Sequence, residues 1–146
     1  MGKYTIDKKK YKEYIKYALE TGFDDEESAK EQLSYVVNKL NNLSDPVKLY
    51  RLIFLDDPSS FDKNQPGVHY VINVKKLIRD HYDEMLYNYS KFDESKPYIL
   101  TIESPKSKID FDTTIKNNLA YPHEEEISLL NAGQGTKIIS LNLFSR

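Results

Sequence analysis

The sequence predicts an α+β fold with a largely antiparallel sheet. Three observations carry this. Apolar stripes at helical spacing occupy the start of the chain and one central segment, short aliphatic and aromatic runs bounded by proline, glycine and polar clusters occupy most of the rest, and helix and strand do not alternate in the strict order of a parallel βαβ sheet. No internal repeat or low-complexity segment breaks the pattern. At 146 residues the chain has the size of one domain able to bury a core without disulfides. Residues 1–45 are expected as a helical lead-in packed on a β core formed by 46–146.

Asp7 stands before "KKKYKEYIKYALETG", where Tyr11, Tyr14, Ile15, Ala18 and Leu19 share one face and Gly22 supplies a stop. The spacing predicts an amphipathic helix with a solvated basic outer face. A second helix is expected from "DDEES" to "NNLSDP", because carboxylates complement a helix N-terminus, with Ala29, Leu33, Val36, Val37 and Leu40 turned inward. Beyond Pro46, "VKLYRLIFL" is predicted as a buried strand and, after the polar loop "DDPSSFDKNQPG", "VHYVI" as a second. Asn73 is placed to cap a helix with the stripe Val74, Leu77, Ile78, Met85, Leu86 and Tyr89, ending near "NYSKFDES". "PYILTIES" is a third strand, followed by a connection in which Asp110 or Asp112 caps a short helix. The last strands are "EISLL" and "TKIISLNLF", joined by "NAGQG", whose glycines suit a turn needing positive φ.

Composition narrows the chemistry. The 39% hydrophobic and 30% charged residues are ordinary for a globular chain, and no apolar run is long enough to cross a bilayer, so no membrane partner is expected. The start, "MGKYTIDKKKYKEY", has no apolar stretch of the secretory kind, and Ile6 stands where a myristoylation signal needs Ser or Thr. Cytoplasm is the expected location. The absence of cysteine removes thiol nucleophiles, thiolate metal sites and disulfides, and His69, His81 and His123 lack zinc-binding spacing, so no metal is expected. A net charge of −2 offers nucleic acid no general attraction, and most of the 12 tyrosines fall at core or boundary spacing. Chemistry is left to carboxylates, hydroxyls, His and Arg.

Three features disobey their surroundings. Arg51 interrupts a strand whose neighbours Leu49, Leu52, Ile53 and Phe54 are apolar, and a buried guanidinium demands a carboxylate, a strand-edge position or an anionic ligand. In "YPHEEEISLL", strand parity puts Glu126, Ser128 and Leu130 on one face, with Glu124 one step earlier, so Glu124 and Glu126 can share a cleft while Glu125 turns away. Such a run is either a solvated strand end or a pair of carboxylates suited to a cationic transition state. His69 and Tyr70 in "PGVHYV" are structural residues unless their neighbours make them part of a site.

An arginine on an early strand, then an aromatic strand motif, then "YPHEEEISLLNAGQGTKIISL" resembles the ADP-ribosyltransferase family, in its arginine-and-glutamate branch. The closing segment is similar to that family's Tyr-Pro-x-Glu-x-Glu stretch leading into an aliphatic strand, a glycine turn and a final strand, here Tyr121, Pro122, Glu124, Glu126, Gly133 and "TKIISL". The likeness spans residues 46 to 144 and implies an ADP-ribosyltransferase-like β core with NAD as the substrate. It further implies that Arg51 contacts the NAD phosphates, that Glu126 holds the nicotinamide ribose, and that Glu124 orients and deprotonates an acceptor, with Glu rather than Gln there pointing to arginine. Glu125 is implied to be dispensable. Family members of the toxin type carry Ser-Thr-Ser where this chain has His69, Tyr70 and Val71. His69 then stands in for the serine's hydrogen bonds and Tyr70 for a stacking surface, a variant similar to small phage-encoded members, for which the host cytoplasm is the expected location. The acceptor is expected to be a macromolecule, a protein in preference to a nucleic acid. NAD hydrolysis, and a non-catalytic binding or inhibitor module on the same fold, are the alternative functions.

Overall fold

The computed structural model describes residues 4–90 and 95–144. The predicted end of the central helix falls partly at 91–94, which lies outside the described residues.

The two N-terminal helices form where the caps place them. Asp7 accepts the Lys10 N–H at 2.8 Å and opens α1 (Lys8–Thr21), and Asp25 accepts the Ser28 N–H at 2.7 Å and opens α2 (Glu26–Asn41). Each satisfies a backbone donor that the first helical turn leaves unpaired. Tyr14, Ile15 and Ala18 of α1 and Ala29, Leu33, Val36 and Leu40 of α2 are buried. Leu19, expected on the inner face, is instead 40% exposed. Both helices pack on α4 (Phe111–Ala120), the short helix capped by Asp110, whose carboxylate accepts the Thr113 N–H at 3.1 Å. The Tyr14 hydroxyl donates to Asp112 at 2.7 Å across that contact.

The strands form two small antiparallel sheets, so the chain is α+β. In the first, β1 (Val47–Leu55), β3 (Lys96–Ser104) and β5 (Lys137–Leu143) lie in the order β1-β3-β5. Arg51 faces Leu100 in the register. In the second, β2 (His69–Tyr70) pairs with β4 (Ile127–Ser128), setting His69 opposite Ser128 and Tyr70 opposite Ile127. Reciprocal backbone bonds of 2.8 and 2.9 Å between Tyr50 and Val71 tie the end of β2 to β1. The central helix α3 (Val74–Ser90) starts at Asn73, whose side chain accepts the Lys76 N–H at 3.1 Å, and lies against β1 and β3. One apolar cluster runs from Tyr14 and Leu33 through Leu49, Leu100 and Ile102 to Ile115, Leu119 and Ile127. Among the described residues no helix is long and apolar enough to cross a membrane.

The C-terminal third differs from the sequence expectation. "EISLL" yields only two strand residues, and Glu126 precedes the strand rather than opening it. The chain cannot stay extended on either side of β4: Glu125 has φ 50°, and after Leu129 the backbone turns through Asn131 and Ala132 at φ 52° and 53°. "NAGQG" does take positive φ at Gly133 and Gly135, as its glycines suggested, but the segments it joins lie in separate sheets, β4 with β2 and β5 with β3. Tyr89, expected in the inner stripe of α3, is 36% exposed.

Candidate functional site

A cleft of ≈ 520 Å3 opens between β1, β2, α3 and the turn at 123–126, within the volume range of small-molecule sites, about 300–1,000 Å3. Arg51, His69, Tyr70, Glu124 and Glu126, singled out from the sequence, all line it.

Arg51 is half-buried in one wall. Its Nη1 donates to the Pro66 carbonyl, and among the described residues no carboxylate lies within ion-pair distance of it. A guanidinium carries five N–H donors in a rigid fork, so most of its capacity is free for an anion in the cleft. The guanidinium rests against Gly67, where φ is +127°, and a side chain at 67 would collide with Arg51 Nη1 and Cζ. Gly133, at φ +77°, backs onto the same loop, since a Cβ there would lie 2.8 Å from the Gly67 carbonyl oxygen and 2.9 Å from Pro66 Cγ. Glycine at 67 gives Arg51 its seat, and glycine at 133 lets the 66–67 loop settle on the turn before β5.

Tyr70 lies beneath this arginine and is 1% exposed. A ring so covered has no free face, which corrects the expectation that Tyr70 stacks on a ligand; it is a packing residue at the floor of the cleft. Its hydroxyl is buried beside the guanidinium, and burial pushes it up to about 12, with the charge and proximity of Arg51 opposing.

At the opposite wall, β2–β4 pairing brings His69 to the carboxylates. His69 Nδ1 lies 3.1 Å from Ser128 Oγ and 3.5 Å from Glu126 Oε2. Asn117 of α4 donates to both, at 3.4 Å to Glu126 Oε2 and 3.3 Å to Ser128 Oγ. The Glu126 backbone is fixed by Asn118, whose amide donates at 2.7 Å to the Glu126 carbonyl and at 2.7 Å to the Thr114 carbonyl. Burial raises the Glu126 carboxyl above its ordinary range; His69 lowers it and the adjacent Glu124 raises it further. Two carboxylates held together in a half-buried cleft disfavour joint ionisation unless positive charge arrives between them.

Ser128, His69 and Glu126 have the composition of a nucleophilic triad but not its geometry. Both contacts fall on the same imidazole nitrogen, whereas a triad needs one ring nitrogen for the hydroxyl and the other for the carboxylate. Ser128 is also 0% exposed, so no substrate reaches its hydroxyl. The serine braces His69.

The chain matches no family model, no curated protein and no solved structure.

Glu125 borders the same cleft as its two neighbours and precedes the strand whose parity was expected to turn it away, but its carboxylate is tied to α2. It accepts from Lys39 Nζ at 2.9 Å and from the Tyr35 hydroxyl at 3.2 Å, both on α2, and the Lys39 bond holds its carboxyl below the usual range against the effect of burial. On the α3 side, Lys76 lines the cleft and donates to Asp80 at 2.6 Å and to the His123 carbonyl at 2.7 Å, closing the turn onto the helix. Sequence reasoning missed Asn117, Asn118 and Lys76. The adjacent polar pair "NN" inside a short helix, on the side that meets an apolar strand, is the signal for the first two; Lys76 follows the exposed Lys75 on a polar helix face and carries none.

Proposed function

We propose that the chain is a small mono-ADP-ribosyltransferase with an ADP-ribosyltransferase-like core, in which NAD is the substrate. The observation that supports this most is convergence: a guanidinium with spare donors at 51 and a carboxylate pair at 124 and 126, far apart in sequence, line one cleft of suitable volume. Few reactions need a fixed cation and a partly buried pair of anions in the same cleft without a protein nucleophile. Breaking the bond between nicotinamide and ribose is one, because the substrate carries a pyrophosphate and the ribose becomes cationic as the bond opens.

In this reading Arg51 forks onto the pyrophosphate. The nicotinamide–ribose bond breaks with its electron pair leaving on nicotinamide, and positive charge develops on the ribose ring. Glu126 lies where that charge forms and stabilises it, with burial strengthening the interaction as the site dehydrates. His69 and Asn117 hold the Glu126 carboxylate in place, the work that the family's serine motif does elsewhere. An acceptor nucleophile then bonds to the ribose carbon and gives its proton to Glu124, the exposed member of the pair.

The test is incubation of the chain with NAD labelled in the ADP-ribose part and a cell lysate. Label on a protein band, released with stoichiometric nicotinamide, is the expected result. Free ADP-ribose as the sole product means hydrolysis, and no NAD turnover together with no calorimetric NAD binding overturns the proposal in favour of a different ligand.

A further inference from the structure

The carboxylate pair sits on a backbone that does not hold itself. Glu125 occupies the left-handed region at φ 50°, which residues other than Gly, Asn and Asp seldom adopt without help from their surroundings. Immediately before it, the Glu124 N–H bonds to the Tyr121 carbonyl at 3.1 Å, and immediately after it the Glu126 carbonyl is gripped by Asn118. Between those two ties the Glu126 carboxylate meets Asn117 and His69, and the left-handed residue itself is anchored by the contacts Glu125 makes to α2. Lys39 Nζ at 2.9 Å and the Tyr35 hydroxyl at 3.2 Å converge on one oxygen, and Lys39 lies 5.6 Å from the Tyr35 ring centroid, so the three side chains form one unit. The Lys39 and Glu125 side chains are each 27% exposed, covered enough for the pair to resist solvent screening.

We infer that Glu125 is a positioning residue: its ion pair with Lys39, braced by Tyr35, holds the 124–126 backbone in the left-handed turn that directs Glu124 and Glu126 into the same cleft. The N-terminal helices thereby gain a task beyond covering the core, since α2 sets the geometry of a site to which it contributes no lining side chain. The middle glutamate, which the family likeness implies to be dispensable, becomes the one on which its neighbours depend. The inference rests on the carboxylate pair being the working part of the site, and its consequence for geometry is measurable whether or not NAD is the substrate.

The experiment follows the titration of the Glu126 carboxyl by carbon-13 NMR in the full chain, together with nicotinamide release, in Glu125→Gln, Lys39→Met and the charge-exchanged double variant Lys39→Glu/Glu125→Lys. Burial raises Glu126, so loss of the anchor, which lets the turn relax toward solvent, brings its midpoint down toward the ordinary glutamate range. That fall is expected in both single variants, with recovery in the double variant. Nicotinamide release should drop about 10-fold or more in kcat with KM little changed, since displacement of a catalytic group by about 1 Å costs up to about 100-fold. A Glu126 midpoint unmoved in both single variants overturns the inference. If Glu125→Gln does not fold, Lys39→Met decides, since Lys39 lies on α2 and leaves the sequence of the turn unchanged. Shifted midpoints in a chain that never cleaves NAD would sustain the positioning role and reject the transferase.

Discussion

Replacing Gly67 with alanine should unseat Arg51. The new Cβ falls on the guanidinium, with Cζ 2.5 Å away, and φ at this position is +127°. Two costs follow. Backbone strain of a non-glycine residue there is about 1–3 kcal/mol, independent of what the arginine does. The guanidinium can swing away, but it then gives up its charged hydrogen bond to the Pro66 carbonyl, about 1.5 kcal/mol at this half-exposed site. Gly67→Ala should therefore lose about 2.5–4.5 kcal/mol, a large part of the roughly 5–15 kcal/mol that holds a domain folded. Arg51→Ala alone loses about 1.5 kcal/mol. In the double variant the arginine bond is lost only once, so the two changes together cost about 1.5 kcal/mol less than their sum. Urea unfolding of the four proteins measures this cycle. Additive losses, or a Gly67→Ala protein within about 0.5 kcal/mol of wild type, would refute the seat described for Arg51.

Further outcomes follow from the same contacts. Asn118→Ala removes both 2.7 Å amide bonds in a buried position and should lower stability by about 2 kcal/mol, about 7 °C in Tm by calorimetry. Glu126→Gln should raise stability at pH 7. The folded carboxyl titrates above its unfolded value, so its stabilising contribution is complete below the unfolded pKa and lost as pH rises through the folded one; the gain from Gln should shrink in urea melts repeated at progressively lower pH. Glu124→Gln should reduce transfer to arginine acceptors about 100-fold while leaving nicotinamide release largely intact, measured with labelled NAD on arginine-rich protein and in its absence.

Much of the fold is legible because its signals are local. Asp7, Asp25, Asn73 and Asp110 announce helix starts by a mechanism confined to three residues, and β1 extends over the "VKLYRLIFL" that its apolar run marks out. The region after Tyr121 is less legible because distant partners decide it. An aliphatic run such as Ile127–Leu130 is compatible with a long strand, and what cuts it to two residues is the left-handed backbone at Glu125, held from α2, and at Ala132, whose methyl side chain gives no warning of such a conformation. The site shows the same division. Arg51 is conspicuous in the sequence as a charge in an apolar strand, but its partner proves to be a carbonyl on a loop that only Gly67 allows so close. Strand parity sets Glu125 apart from Glu124 and Glu126, but all three precede β4 and border the cleft; what distinguishes Glu125 is its bonding to Lys39 and Tyr35, and side-chain partners 86 and 90 residues away leave no periodic trace. Tyr70 shows the opposite failure: a residue type that suggests stacking is placed by the β2–β4 register under the floor of the cleft.

The central claim is that the Arg51–Glu126 cleft cleaves NAD, and the most direct measurement is nicotinamide release by the wild-type chain beside Glu126→Gln. This substitution keeps size and shape while removing the charge proposed to face the ribose. The account predicts steady release by wild type and a loss of at least about 100-fold in the variant, with the fold intact by calorimetry. Equal rates in the two proteins would contradict it.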